Sequence, residues 1–243
     1  MFPLRDANPR HGPAVVLWIF LAINVLVFLY NLTFDSQQQL VRFVYHFGFI
    51  PREFFAVPIP EAFTLLTSMF LHGGLGHILG NMFFLYVFGD NVEDRMGHVR
   101  FTVFYLLGGV VATLAHGFFT TSSTVPMVGA SGAISAVLGA YIVIFPRQRI
   151  LTFIPPLVIP WLVIRLFGRI PRFWLPWLPA WIYIGYWALL QLLEAYSGMV
   201  VSQENMQGVA WWAHIGGFIY GVIAVRFFLK PTARSVPQLQ SNL

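Results

Sequence analysis

An all-α, polytopic membrane bundle of six helices is the fold class this chain predicts, and three observations predict it. Hydrophobic residues make up 58% of the 243 and charged residues only 9%, a balance outside that of soluble domains. Six apolar runs bounded by Gly, Pro or charge fall at about 14–33, 75–92, 99–118, 131–145, 178–197 and 210–229. The basic residues between them are asymmetric. With the N-terminus inside, Arg5, Arg10, Arg95, Arg100, Arg147, Arg149, Arg165, Arg169, Arg172, Arg226, Lys230 and Arg234 share the inner side and only Arg42 and Arg52 lie outside, twelve against two. Both termini are then cytoplasmic.

Residues 1–13 read as a cytoplasmic segment with Arg5 and Arg10, and Ala14 to Leu32 as an uncleaved first helix, because no small-residue cleavage site follows it. The segment is not an Arg-rich amphipathic transit peptide, which favours a bacterial plasma membrane over an organelle. The outer loop from Phe34 to Gly74 carries a second apolar piece, Ala62 to Leu71, expected in the outer interface or packed on the bundle, since Gly73, Gly74 and Gly76 interrupt helix propagation after it. Between the fourth and fifth runs, Leu151 to Pro179 is broken by Pro155, Pro156 and Pro160 and is expected in the inner interface. The membrane domain thus covers 14–229, and 230–243 is a polar tail expected to be disordered.

The fourth run points to chemistry. It begins at Ser131, in Gly129-Ala130-Ser131-Gly132-Ala133, and ends near Pro146; about fifteen helical residues cover roughly 22 Å of a hydrocarbon core about 30 Å thick. Ser131 therefore starts its helix below the membrane surface, where non-helical backbone must be buried in protein or line a wet cavity. Even-numbered helices enter from the outer face, so His77 and Asn81 on the second, Ser131 on the fourth and His214 on the sixth share one depth. Several polar groups at one level inside a bilayer mark a functional site.

A serine hydroxyl needs a base to take its proton, and histidine suits that task near neutrality. His214 is the candidate, because Ala213, Gly217 and Gly221 form a small-residue seam that matches Gly132, Ala136 and Ala140 on the fourth helix. His77 and Asn81, four residues apart, share a helix face and, with the Ser131 N–H, can aim donors at an oxyanion. Packing or loop roles compete with each of these readings: a helix-interface serine, a histidine reaching interfacial water, an asparagine tying helices together. His72 reads as a loop anchor and Glu93-Asp94-Arg95 as a structural ion pair or helix cap. His11, His46, His98 and His116 show no shared level. No metal site is expected, as HExxH is absent and Asp90 and Glu194 lack ligand spacing to any histidine. The lack of cysteine removes disulfides and thiolate ligands, and the net charge of +5 forms no stripe, so no nucleic-acid partner is expected.

Taken together, the segments His72-Gly-Gly-Leu-Gly-His77-Ile-Leu-Gly-Asn81, Gly129-Ala-Ser131-Gly and Ala213-His214-Ile-Gly-Gly217 resemble, in order and spacing, the motifs of the rhomboid family of intramembrane serine proteases, and the likeness runs from about Gly48 to Leu229. The resemblance implies a Ser131–His214 dyad without an acidic third member, an oxyanion site from His77, Asn81 and the Ser131 amide, and a hydrophilic cavity open to the outer face. It further implies no cofactor, and transmembrane protein substrates that enter past the fifth helix and the loop Gly198 to Gly208. Two features depart from the family pattern. Ser135 stands where many relatives place an aromatic ring against the catalytic histidine, leaving His214 to other neighbours, and the Trp-Arg pair of the first outer loop is missing. The competing functions are a catalytically silent relative that binds membrane helices, and a small transporter or channel, which would need polar groups at several depths.

Overall fold

The computed structural model describes residues 1–9, 12–154, 176–200 and 210–231. Each of the six apolar runs is a helix: α1 (Val15–Asn31), then, after the short α2 (Gln37–Phe47), α3 (Pro51–Ala56), α4 (Pro58–Glu61) and α5 (Thr64–Thr67) of the outer loop, α6 (Leu75–Met96), α7 (His98–Phe119), α8 (Ser131–Ile144), α9 (Ala180–Val200) and α10 (Trp211–Phe228). Among the described residues, α7 and α10 are individually long and apolar enough to cross a membrane, and a third crossing results if α6 is counted with Pro58–Phe70, from which it bends by 81°. α1 and α8 have 17 and 14 residues, roughly 26 and 21 Å of rise.

α8 forms the centre of the bundle. Every residue from Gly132 to Tyr141 is buried, enclosed by α10, α7 and α6. The outer helices turn apolar side chains outward: Phe227 on α10 is 77% exposed, Val99 on α7 is 77% and Leu193 on α9 is 54%, the reverse of a soluble bundle. Ala62 to Leu71 packs on the bundle, with Thr64, Ser68, Met69 and Leu71 buried and α5 against α7.

A small sheet departs from the all-helical expectation. Strands β1 (Phe2–Asp6), β2 (Arg149–Phe153) and β3 (Trp177–Pro179) pair in the order β1-β2-β3, both pairs antiparallel. Backbone groups in the N-terminal segment and at the two ends of the connection between α8 and α9 satisfy one another across chain separations too large for local patterning to reveal. The sheet covers the end of the bundle where α1, α7 and α9 begin and α6, α8 and α10 finish. There Glu93, only 1% exposed, accepts hydrogen bonds from the N–H groups of Val16 (2.9 Å) and Leu17 (2.8 Å) and pairs with His98 Nδ1 at 2.6 Å. α1 has no cap of its own, so Glu93 supplies the negative partner for its orphan donors. Both sequence readings of this triplet are met at Glu93, which caps another helix and pairs with His98. The inner stretch at 155–175, most of the loop before α10 and the tail beyond 231 lie outside the described residues.

β1 is fastened by Asp6, whose Oδ2 accepts from Tyr141 Oη at 2.6 Å and Asn91 Nδ2 at 2.7 Å. Burial lifts its carboxyl from 3.8 to about 6, with the Tyr141 hydrogen bond opposing and Asp90 adding repulsion. A carboxyl raised on folding contributes stability that is complete below the unfolded value and lost as pH climbs through the folded one. Asp6→Asn keeps the acceptor without the charge, so it should be more stable than the wild type near neutrality by about 1 kcal/mol after discounting for partial exposure. The difference should vanish below about pH 3. Thermal unfolding at the two pH values measures this, and a difference independent of pH would contradict it.

Candidate active site

Ser131 is the first residue of α8, so its backbone N–H has no acceptor within the helix and points toward the approach to the helix N-terminus. The loop before it is braced by the outer-loop segment: Gly129 N–H donates to Ser68 O at 2.8 Å, and Phe49 and Met127 exchange backbone bonds of 3.0 and 2.8 Å. Gly129 has φ of +125°, a conformation that only glycine adopts without strain. A methyl group there would also sit 2.8 Å from His77 Cε1 and Nε2 and 3.5 Å from Asn81 Nδ2. The polar face of α6 therefore lies directly against the loop that presents Ser131.

The small-residue seams place the partner. A Cβ on Gly217 would run into Gly132 O, and one on Gly221 into Ala136 O, so α8 and α10 approach to backbone contact as the matched seams predict. This packing sets His214 Nε2 2.9 Å from Ser131 Oγ. All four residues singled out in the sequence are gathered in one place: Ser131 bonded to His214, with His77 and Asn81 across Gly129. His72 bears out its reading as an anchor, because Asn81 Nδ2 donates to its Nε2 at 2.9 Å, which fixes the amide while leaving its second N–H available. His116, for which no shared level was expected, lies near enough to His214 for the two imidazoles to interact electrostatically, whereas His98 serves Glu93.

Two features were not visible in the sequence. Ser135, in place of an aromatic ring, is buried and donates its hydroxyl back to Ser131 O at 2.6 Å. His214 is flanked by Trp187 and Trp211, with ring centroids 6.1 and 6.0 Å away, and its Nδ1 donates to Oε1 of Gln191 at 2.6 Å. The one amide in a mostly apolar helix was the available signal for Gln191. Beside Ser131 a small cavity is walled by Met69, Met127, Val128, Ala210 and Ala213 together with Thr113 and Ser131 itself; His77, Asn81 and His214 do not line it.

The family profile of the Rhomboid domain matches residues 60–231, spanning α5 through α10 and all four site residues. The chain belongs to the rhomboid family. It is 24% identical to Rhomboid-like protein 11, chloroplastic, of Arabidopsis thaliana over 96% of this chain and 72% of that protein. It is 30% identical to the rhomboid protease GluP of Bacillus subtilis over 65% of this chain and 30% of GluP. It is also 30% identical to the human presenilin-associated rhomboid-like protein, mitochondrial, over 61% of this chain and 38% of that protein. Apart from the first, this rhomboid spans less than half the length of these relatives. Membership makes it a membrane protein, and the outward apolar faces of α7, α9 and α10 fit that setting.

Proposed function

We propose that this rhomboid is an intramembrane serine endopeptidase that hydrolyses peptide bonds in or near transmembrane segments of membrane proteins. The observation that carries the reading is the 2.9 Å contact between Ser131 Oγ and His214 Nε2, at the start of a helix too short to span. Ser131 is the nucleophile. As Oγ bonds to the substrate carbonyl carbon, its proton passes to His214 Nε2; the imidazolium then gives that proton to the departing amine as the C–N bond breaks. Water attacks the acyl-enzyme, yields its proton to the same nitrogen, and the proton returns to Ser131 Oγ as the acid leaves. The Ser131 N–H, the free Asn81 N–H and His77 hold the oxyanion, each donor worth about 3 kcal/mol of transition-state stabilisation. No step calls for a metal or cofactor.

Six spans across residues 14–229, with both termini cytoplasmic, account for the short helices, since α8 is sheathed by protein and need not meet lipid at both ends. Arg5, Arg95, Arg100, Arg149 and Lys230 gather at the sheet-covered end, which supports placing that end inside and the dyad toward the outer face. A bacterial cell membrane is the setting proposed, one of the matched relatives being a Bacillus rhomboid and the other two organellar proteins. The substrates are then transmembrane proteins reaching the dyad from the bilayer. A catalytically silent, helix-binding role is the alternative, and the intact hydrogen-bonded pair weighs against it.

A fluorophosphonate probe tests the reading without any known substrate. The purified protein should be labelled, Ser131→Ala should show no labelling, and His214→Ala should be labelled at least about 100-fold more slowly for want of its base. Labelling that persists in Ser131→Ala would refute the nucleophile, and a wild type that stays unlabelled would favour the silent alternative.

A further inference from the structure

We propose that Gln191 is a positioning residue of the dyad, taking the place that an acidic third member or a stacked aromatic ring would fill; this rests on the protease reading of the same site. Along α9, Ile184, Trp187, Gln191 and Ala195 recur at three- and four-residue intervals and form a single stripe. Ile184, Gln191 and Ala195 are buried, whereas Leu189, Leu192, Leu193 and Tyr196 on other faces are more than half exposed. An amide in this stripe is costly unless it is bonded. Its oxygen meets His214 Nδ1 at 2.6 Å, and Gln191 is 8% exposed, so water competes poorly for the contact.

The chemistry of this bond decides what the other ring nitrogen does. A carbonyl oxygen can only accept, so the hydrogen of the neutral imidazole is held on Nδ1, and Nε2 presents its lone pair to the Ser131 hydroxyl 2.9 Å away. The opposite tautomer would set an Nε2–H against the Ser131 proton and leave the serine without a base. When Nε2 takes the proton, the amide dipole remains aimed at the resulting cation. Trp187, one turn earlier on the same stripe, lies 6.1 Å from the imidazole and limits rotation about the ring's own axis. Ser135 is committed to Ser131 O and cannot serve this purpose. One helix, α9, thus supplies both the acceptor that selects the tautomer and the ring that backs it.

Steady-state cleavage of a single-pass reporter by the full chain tests the assignment with two near-isosteric changes. Gln191→Met removes the acceptor and should lower kcat about 10- to 100-fold with KM within about twofold, by analogy with loss of the group that orients a metal-ligating histidine. Gln191→Glu restores an acceptor and should hold kcat within about fivefold of wild type. A merely structural glutamine would not give this contrast. Should Gln191→Met fail to fold, Gln191→Ala in monodisperse form should be labelled by the fluorophosphonate at least about 10-fold more slowly than wild type. Wild-type kcat in Gln191→Met, a Glu variant as impaired as the Met one, or undiminished labelling of the Ala variant each overturns this inference alone. A wild type that shows no Ser131-dependent labelling overturns the protease reading, and this inference with it.

Discussion

Alanine at Ser131 is expected to cut reporter cleavage by about four to six powers of ten, alanine at His214 by a similar factor, and the double variant no further than either. The non-additivity follows from the geometry. The two side chains share one hydrogen bond of 2.9 Å and act on one proton: without the imidazole the hydroxyl is not activated, and without the hydroxyl the imidazole has nothing to activate. Residual turnover should reflect the oxyanion donors and substrate binding, which neither substitution touches. Neither truncation puts new bulk into the small-residue seam where α8 and α10 touch, so the fold should stay intact. Reporter cleavage in proteoliposomes, normalised to monodisperse protein, provides the measurement. Losses that multiply in the double variant would mean that Ser131 and His214 act independently, and the dyad mechanism would fail.

Much of this arrangement is legible in the chain because it depends on local signals. The run placed at 131–145 is the helix Ser131–Ile144, since loop glycine precedes it and Pro146 ends it. The seam of Ala213, Gly217 and Gly221 is readable because helix periodicity alone puts those residues on one face, and the backbone contact with Gly132 and Ala136 follows. What stayed hidden depends on partners distant in sequence. Glu93 shows itself as a cap only when α1, some 76 residues away, arrives with its unpaired N–H groups. The three strands are too short to carry a period and exist because the ends of helices bring them together. Gln191 sits 23 residues from His214, and nothing in its own stretch of α9 says which helix its amide will face. His72 was readable as an anchor by its place ahead of the glycines, but its ward, Asn81, needed the bend of 81° between the segments.

Gly217→Val should be the most damaging substitution outside the polar site. Gly217 follows His214 by one helical turn, and the group its new side chain would strike, Gly132 O, belongs to the residue after Ser131. The conflict is with backbone, which cannot rotate away, so α8 and α10 must separate or one helix must shift along the other. Overpacking of this kind costs about 1–3 kcal/mol or more. The larger consequence is catalytic. A displacement of about 1 Å at reacting atoms lowers rate by about 100-fold, and here the seam sets the separation of nucleophile and base directly. The expected result is a loss of at least about 100-fold in kcat together with a lowered melting temperature. Gly185→Ala supplies the control: on α9 a methyl group at that position meets nothing within 4 Å among the described residues, so activity should stay within about twofold of wild type and stability should be equal or slightly higher from the gain in helix propensity. If Gly217→Val retained full kcat, the seam would not be what holds Ser131 against His214, and the distance between them would have to be maintained from the α9 side, through Gln191 and Trp187.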